Sequence, residues 1–210
     1  MRFEREMVRL YAVTDRTWLR GRTLEEVVEE ALRGGVTMVQ LREKELPHEA
    51  IVSEARQLTA LCHRYEVPLL VDDDVAACVE AGADGVHVGQ SDMAVSRARA
   101  VLGPEHIIGA TAHNEEEAVR AQADGADYIG SGAAFGSLTK KDARPIDRKE
   151  YRRITAAVTI PVCAIGGITQ NNIGELNDAG LAGAAIVSGI FAAEDITKTC
   201  LTLKNLSLRL

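Results

Sequence analysis

The apolar residues fall into short runs bounded by glycine or proline, each followed by a longer stretch with apolar residues at helical spacing. Residues 10–15, 36–41, 68–71, 85–90, 107–111, 128–132, 162–165 and 184–188 read as strands, too uniformly apolar for a sheet with one wet face. Between the first two, Thr23-Leu-Glu-Glu26 has the capping-box form and opens a helix with Leu24, Val27, Val28, Ala31 and Leu32 on one side, ended by Gly34. Pro47 starts a second helix carrying Ile51, Ala55, Leu58 and Leu61, and a short third runs to Glu80. Further helices are expected over 95–102, after the cap Asn114 with Glu117 at the reciprocal position, over 148–157, after Thr169, and from Asp195 onward. Residues 135–146 have no apolar period and form the longest loop.

Similar turns precede alternate strands: RGGVTMVQL, EAGADGVHVG, ADGADYIGSG and DAGLAGAAIVSG. Their glycines Gly35, Gly82, Gly125 and Gly180 lie 47, 43 and 55 residues apart, the length of one strand-helix-strand-helix unit. Four such units make a closed (β/α)₈ TIM barrel, whose alternate strands contribute equivalent interior layers; an open doubly wound sheet has no reason for this repeat. No shift of composition divides the chain, so residues 1–210 are expected to form one α/β catalytic domain.

Charge narrows the function. The net charge of −7 excludes a basic face for nucleic acid, so any anionic ligand is held by locally placed cations and backbone amides. Cys62, Cys78, Cys163 and Cys200 sit in apolar periodic segments without metal-type spacing and read as buried reduced thiols, as in a cytoplasmic protein. No run reaches membrane-spanning length, and no signal-peptide core is present in the first nine residues. Oligomeric state is left open, a homo-oligomer included.

In a barrel the carboxyl ends of all strands face one mouth. Arg42 and Lys44 then stand beside Asp72, Asp73 and Asp92, with Lys140 from the long loop. Taken singly, these are ordinary loop charges and helix-start aspartates. Together they are a mixed constellation that repels a bare anion or a bare cation but suits a divalent cation on a polyphosphate. Asp73 and Asp92 supply hard oxygens to Mg²⁺ while Arg42, Lys44 and Lys140 contact phosphate oxygens. Opposite them, Gly166-Gly167 and Ser188-Gly189 either make tight turns or let backbone amides approach a second phosphate. His87 reads as an interior histidine, and His113, at a strand end, is weighted as structural.

The motifs LYAVTDR, GGVTMVQLREK, GADGVHVGQSD, GADYIGSG, TKKDA, IPVCAIGGIT and AIVSGIF together resemble the thiamine-phosphate synthase family over nearly the whole chain. The resemblance implies a Mg²⁺-dependent transferase joining two small-molecule substrates, an aminopyrimidine diphosphate and a thiazole phosphate, with release of pyrophosphate. Position by position it implies that Arg42, Lys44 and Lys140 hold the diphosphate, Asp73 and Asp92 the metal, and Gln40 the pyrimidine. Thr111 stands where the family usually has serine, near the pyrimidine and the departing group. Ser137 and Thr139, with backbone at Gly167, Val187 and Ser188, would hold the thiazole phosphate. Asp72 replaces a usual asparagine at the substrate, Asp74 a frequent arginine, and Ala133 and Gly136-Ser137 a loop commonly richer in proline and threonine. No nucleophile–base pair is evident, which fits a dissociative displacement in which charge builds on the leaving group. Two other readings remain: a thiazole tautomerase of the same superfamily, with His113 moving the proton, and a non-catalytic phosphate-binding barrel.

Overall fold

The computed structural model describes residues 2–136 and 146–210. Among these, eight parallel strands close into a barrel in chain order: β1 Leu10–Val13, β2 Met38–Leu41, β3 Leu69–Asp72, β4 Gly85–Val88, β5 Ile107–Thr111, β6 Tyr128–Gly132, β7 Val162–Ile165 and β8 Gly183–Ile186. Closure is direct, with Tyr11 in register with Met38 on one side and with Ala185 on the other. The α-helices are α1 Leu24–Arg33, α2 His48–His63, α3 Val75–Ala81, α4 Val95–Leu102, α5 Glu115–Ala123, α6 Arg148–Ala157, the single turn α7 Ser188–Phe191, and α8 Ile196–Ser207.

The fourfold repeat has a backbone cause. Gly35, Gly82, Gly125 and Gly180 all lie in the left-handed region, at φ of 84°, 69°, 97° and 78°. Each turns the chain from a helix back toward the sheet, a conformation that costs an L side chain about 1 kcal/mol or more. The capping box forms as expected: Thr23 Oγ1 accepts from the Glu26 N–H, and Glu26 Oε2 accepts from the Thr23 N–H.

Two expectations are corrected. Thr169 and its asparagines do not open an α-helix; the chain makes only a 3₁₀ turn over Ile173–Leu176. There the Thr169 N–H donates to Asn172 Oδ1 at 2.8 Å and Asn172 Nδ2 to the Gly167 carbonyl at 2.9 Å, local bonds that compete with a helix. The last strand ends at Ile186 rather than at 188, and Ser188 begins α7.

Two apolar layers result. One, between sheet and helices, includes Val27, Leu58, Ile108 and Leu203; the other fills the barrel with Tyr11, Met38, Leu70, Ile107, Tyr128 and Cys163. Phe3 and Met7 pack against this inner layer from the amino-terminal end, and Phe3 stacks on Tyr128 with ring centroids 5.8 Å apart. All four cysteines are free and buried, and burial pushes each thiol up to about 12. Among the described residues no helix is long and apolar enough to cross a membrane.

Candidate active site

At the carboxyl end of β2 the chain alternates direction. Gln40 points inward and is buried. Arg42 is fixed from the neighbouring strand, its N–H donating to Thr14 Oγ1 at 3.0 Å, and the Thr14 N–H donates to the Gln40 carbonyl at 3.0 Å. Glu43 turns the other way, its side chain 6% exposed, and pairs with Arg16 at 2.9 Å; Arg16 also binds Glu54. With Glu43 anchored outside, Arg42 and Lys44 both line the mouth.

Those two cations meet the acidic end of β3. Lys44 Nζ lies 2.7 Å from Asp72 Oδ2 and also contacts Asp73, while Arg42 Nε is 3.7 Å from the same Asp72 oxygen. Burial pushes the Asp72 carboxyl above the ordinary carboxylate range, against the pull of Lys44. Burial also works against the charge on Lys44, but its bonds to Asp72 and Asp73 outweigh that and raise its pKa. Asp73 occupies the left-handed region at φ 60°, its N–H donating to the His87 carbonyl at 2.9 Å, so strained backbone sits at the mouth. Asp74 caps α3 through the Ala77 N–H at 2.8 Å and pairs with His48 at 2.9 Å, away from the cavity lining.

Asp92 reaches this group from the loop after β4, where its Oδ2 accepts from the Gly89 N–H at 2.9 Å. It is close enough to Asp73 for the two carboxyl groups to share a hydrogen bond. Burial and then Asp73 push Asp92 up; burial opposes, but Lys44 and Asp92 hold Asp73 below the usual range. Two carboxylates pressed together beside open volume are hard-oxygen donors that a divalent cation would relieve. Among the described residues no group of three or more His, Cys, Asp or Glu is arranged for a metal, so Asp73 and Asp92 form a two-carboxylate donor set that a bound phosphate or water would add to. The donor set fits Mg²⁺ on those terms.

Across the mouth, the loops after β7 and β8 bring Gly166, Gly167, Val187 and Ser188 to the opposite wall. Backbone bonds pin the first of these: the Ala134 N–H donates to the Ile165 carbonyl at 2.9 Å and the Phe135 N–H to the Gly166 carbonyl at 3.0 Å. Cations and glycine loops thus enclose one cavity of about 430 Å³, with Gln40, Thr111 and His87 in its lining. Ser137, Thr139 and Lys140 lie outside the described residues. His113 sits at the rim with its Nδ1 3.0 Å from Glu117 Oε2, and Glu117 also accepts the His113 N–H at 2.8 Å. That is the reciprocal cap expected at Asn114, displaced by one residue.

Sequence reasoning missed Thr14, Arg16 and Glu43, which orient the cations, and the buried Tyr11 and Tyr128. An Arg-Glu-Lys run signals alternation only once its strand is known to be buried on both faces.

Residues 10–190 match the family model described as thiamine monophosphate synthase. The chain is 41% identical to the thiamine-phosphate synthase of Clostridium tetani over 91% of both chains, and 45% identical to that of Chloroflexus aurantiacus over 94% of this chain and 92% of the relative. It also superposes on the solved thiamine phosphate pyrophosphorylase of Pyrococcus furiosus with a TM-score of 0.89, 37% identity and 97% of both chains covered. With a closed eight-stranded barrel and relatives that match along nearly its full length, the chain belongs to the thiamine monophosphate synthase family.

Proposed function

We propose that the cavity condenses an aminopyrimidine diphosphate with a thiazole phosphate, forming thiamine phosphate and releasing pyrophosphate. Family membership makes the chain a transferase of thiamine biosynthesis acting on small molecules. The observation that carries the fuller reading is the opposition of two anion-seeking walls: Arg42, Lys44, Asp73 and Asp92 on one side, Gly167, Val187 and Ser188 on the other. Two phosphorylated substrates placed so would have their reactive ends between the walls.

Arg42 and Lys44, joined by Lys140, bind the diphosphate and neutralise the charge that builds on it as the carbon–oxygen bond lengthens. Asp73 and Asp92 hold Mg²⁺, which when bound supplies Lewis-acid stabilisation of the departing pyrophosphate. Gln40 orients the pyrimidine from the barrel floor, Asp72 sets where the cations rest, and Thr111 lies near the pyrimidine and the departing group. Ser137, Thr139 and the amides at Gly167, Val187 and Ser188 hold the thiazole phosphate. The enzyme supplies no nucleophile of its own: the electron-rich pyrimidine carries the positive charge and the thiazole nitrogen adds to it.

The test is direct. Both phosphorylated substrates incubated with Mg²⁺ should yield thiamine phosphate and an equal amount of pyrophosphate. Absence of both products at about millimolar substrate, near the upper end of ordinary KM values, would overturn the reading.

A further inference from the structure

A chain of hydrogen-bonded side chains crosses the barrel interior from one substrate-facing wall to another. Gln40 Nε2 on β2 is 2.5 Å from Tyr11 Oη on β1, and Tyr11 Oη is 2.9 Å from Tyr128 Oη on β6. Tyr128 Oη is 2.9 Å from His87 Nδ1 on β4, and His87 Nε2 is 3.0 Å from Thr111 Oγ1 on β5. Space for the rings comes from strand glycines: a Cβ on Gly109 would lie 2.1 Å from Tyr128 Cζ and 2.5 Å from His87 Nδ1, and one on Gly130 would lie 2.9 Å from His87 Cε1. Both phenols are buried, and burial drives their pKa values well above the ordinary range, so each keeps its one proton.

With the Gln40 amide nitrogen placed against Tyr11 Oη, donor counting gives the direction. A carboxamide nitrogen can only donate, so Tyr11 Oη accepts from Gln40 and turns its proton to Tyr128. Tyr128 in turn donates to His87 Nδ1, which leaves the imidazole proton on Nε2, facing Thr111 Oγ1. Thr111 therefore accepts, and its own proton is released toward the cavity. Reversing the order would turn the Gln40 amide nitrogen to the cavity and spend the Thr111 proton on His87. The two orders offer opposite donor and acceptor surfaces to a ligand.

We propose that Tyr11, Tyr128 and His87 are positioning residues forming a one-way hydrogen-bond relay that presents the Gln40 carbonyl as an acceptor and the Thr111 hydroxyl as a donor to the bound substrate. The consequence for catalysis rests on the proposed pyrimidine reaction: an amino group on the ring is accepted by Gln40, while Thr111 donates toward the departing side. The relay itself is a property of the free protein.

Its test begins without substrate. Long-range ¹H–¹⁵N correlation of labelled protein at about pH 8, above the ordinary histidine pKa, reads the His87 tautomer, with the signal assigned by its loss in His87→Asn. The proton is expected on Nε2; a proton on Nδ1 would overturn the relay. Tyr128→Phe keeps the ring stacked on Phe3 and removes the donor to Nδ1, and Tyr11→Phe cuts the chain one link earlier if the first variant does not fold. In Tyr128→Phe, which removes the donor to Nδ1, the Nδ1–H tautomer should become populated, and in Tyr11→Phe, where Tyr128 keeps its proton but is no longer held to donate to Nδ1, it should gain population to a smaller extent. In Tyr128→Phe, kcat should fall about tenfold with the KM for the thiazole phosphate unchanged, and Thr111→Ala should cost much less than in the parent. An unshifted tautomer, or losses from Tyr128→Phe and Thr111→Ala that simply multiply, overturns the proposal. Wild-type protein that makes no thiamine phosphate would remove the functional reading and leave the tautomer measurement to judge the relay.

Discussion

Lys44 Nζ rests 2.7 Å from Asp72 Oδ2, so the cation assigned to the diphosphate is already bound to a carboxylate of its own chain. Arg42 leans on the same oxygen from 3.7 Å. A phosphate entering the mouth must compete with Asp72 for both. Asparagine at this position keeps the size and removes the competing charge. Asp72→Asn should lower the KM for the diphosphate substrate by about three- to tenfold, the scale of one partly screened ion pair. Steady-state kinetics checks this, and an unchanged or higher KM would mean that Asp72 contacts substrate productively.

The pair Arg16–Glu43 predicts a separable effect. Glu43 is nearly fully buried while Arg16 is 40% exposed, so removing the arginine strands a buried carboxylate. Burial already pushes the Glu43 carboxyl up, with Arg16 pulling it down. Arg16→Met should destabilise the fold by about 1–2 kcal/mol, less than a fully buried pair because of the exposed partner. Adding Glu43→Gln should restore most of that stability in urea unfolding. The KM for the diphosphate should stay raised in both, since neither variant re-anchors the segment between Arg42 and Lys44.

The eight strands were readable because a barrel strand is apolar on both faces and its punctuation is set by left-handed turns that need Gly35, Gly82, Gly125 and Gly180. Strands β5, β6 and β7 coincide with the expected residues, whereas the 3₁₀ turn near Asn172 does not, because asparagine and threonine side chains there satisfy backbone groups locally. The cluster of Arg42, Lys44, Asp72, Asp73 and Asp92 at one mouth follows from topology alone once the barrel is recognised. Tyr11, Tyr128 and His87 were not legible as a unit. They come from three strands, and which inward residues share a layer depends on the stagger of the closed sheet, which periodicity within one strand does not encode. Nor does anything in Phe3 itself announce that it stacks on Tyr128.

If displacement is dissociative, its rate follows the stability of positive charge on the pyrimidine-bearing carbon. An electron-withdrawing substituent on that ring should slow single-turnover formation of thiamine phosphate by at least about a hundredfold, some 2.7 kcal/mol of barrel-independent chemistry. Binding should be little changed, because the diphosphate grip is untouched. Equal rates for the two pyrimidines would favour direct attack by the thiazole nitrogen on the intact diphosphate.

Asp73 and Asp92 give the metal prediction its sharpest form. Asp73 stands at φ 60°, a conformation in which asparagine is as comfortable as aspartate, so Asp73→Asn tests charge without disturbing the backbone. In Asp92→Asn the Oδ1 atom can still accept from the Gly89 N–H, as the carboxylate does now. Chelation should abolish product formation and Mg²⁺ should restore it. Each variant should need at least about tenfold more Mg²⁺ for half-maximal rate, as expected when a hard cation loses one of two anionic oxygens. Their titration is the reason the two should not behave alike: burial and then Asp73 raise Asp92, while Lys44 and Asp92 hold Asp73 down despite burial, so as the pH falls Asp92 takes up a proton before Asp73 does. At low pH a metal competes with that proton. Lowering the pH should therefore raise the Mg²⁺ requirement of the wild type, and Asp92→Asn, which has no proton there to displace, should show a weaker pH dependence than Asp73→Asn. Parallel pH profiles in the two variants would place the metal away from this pair.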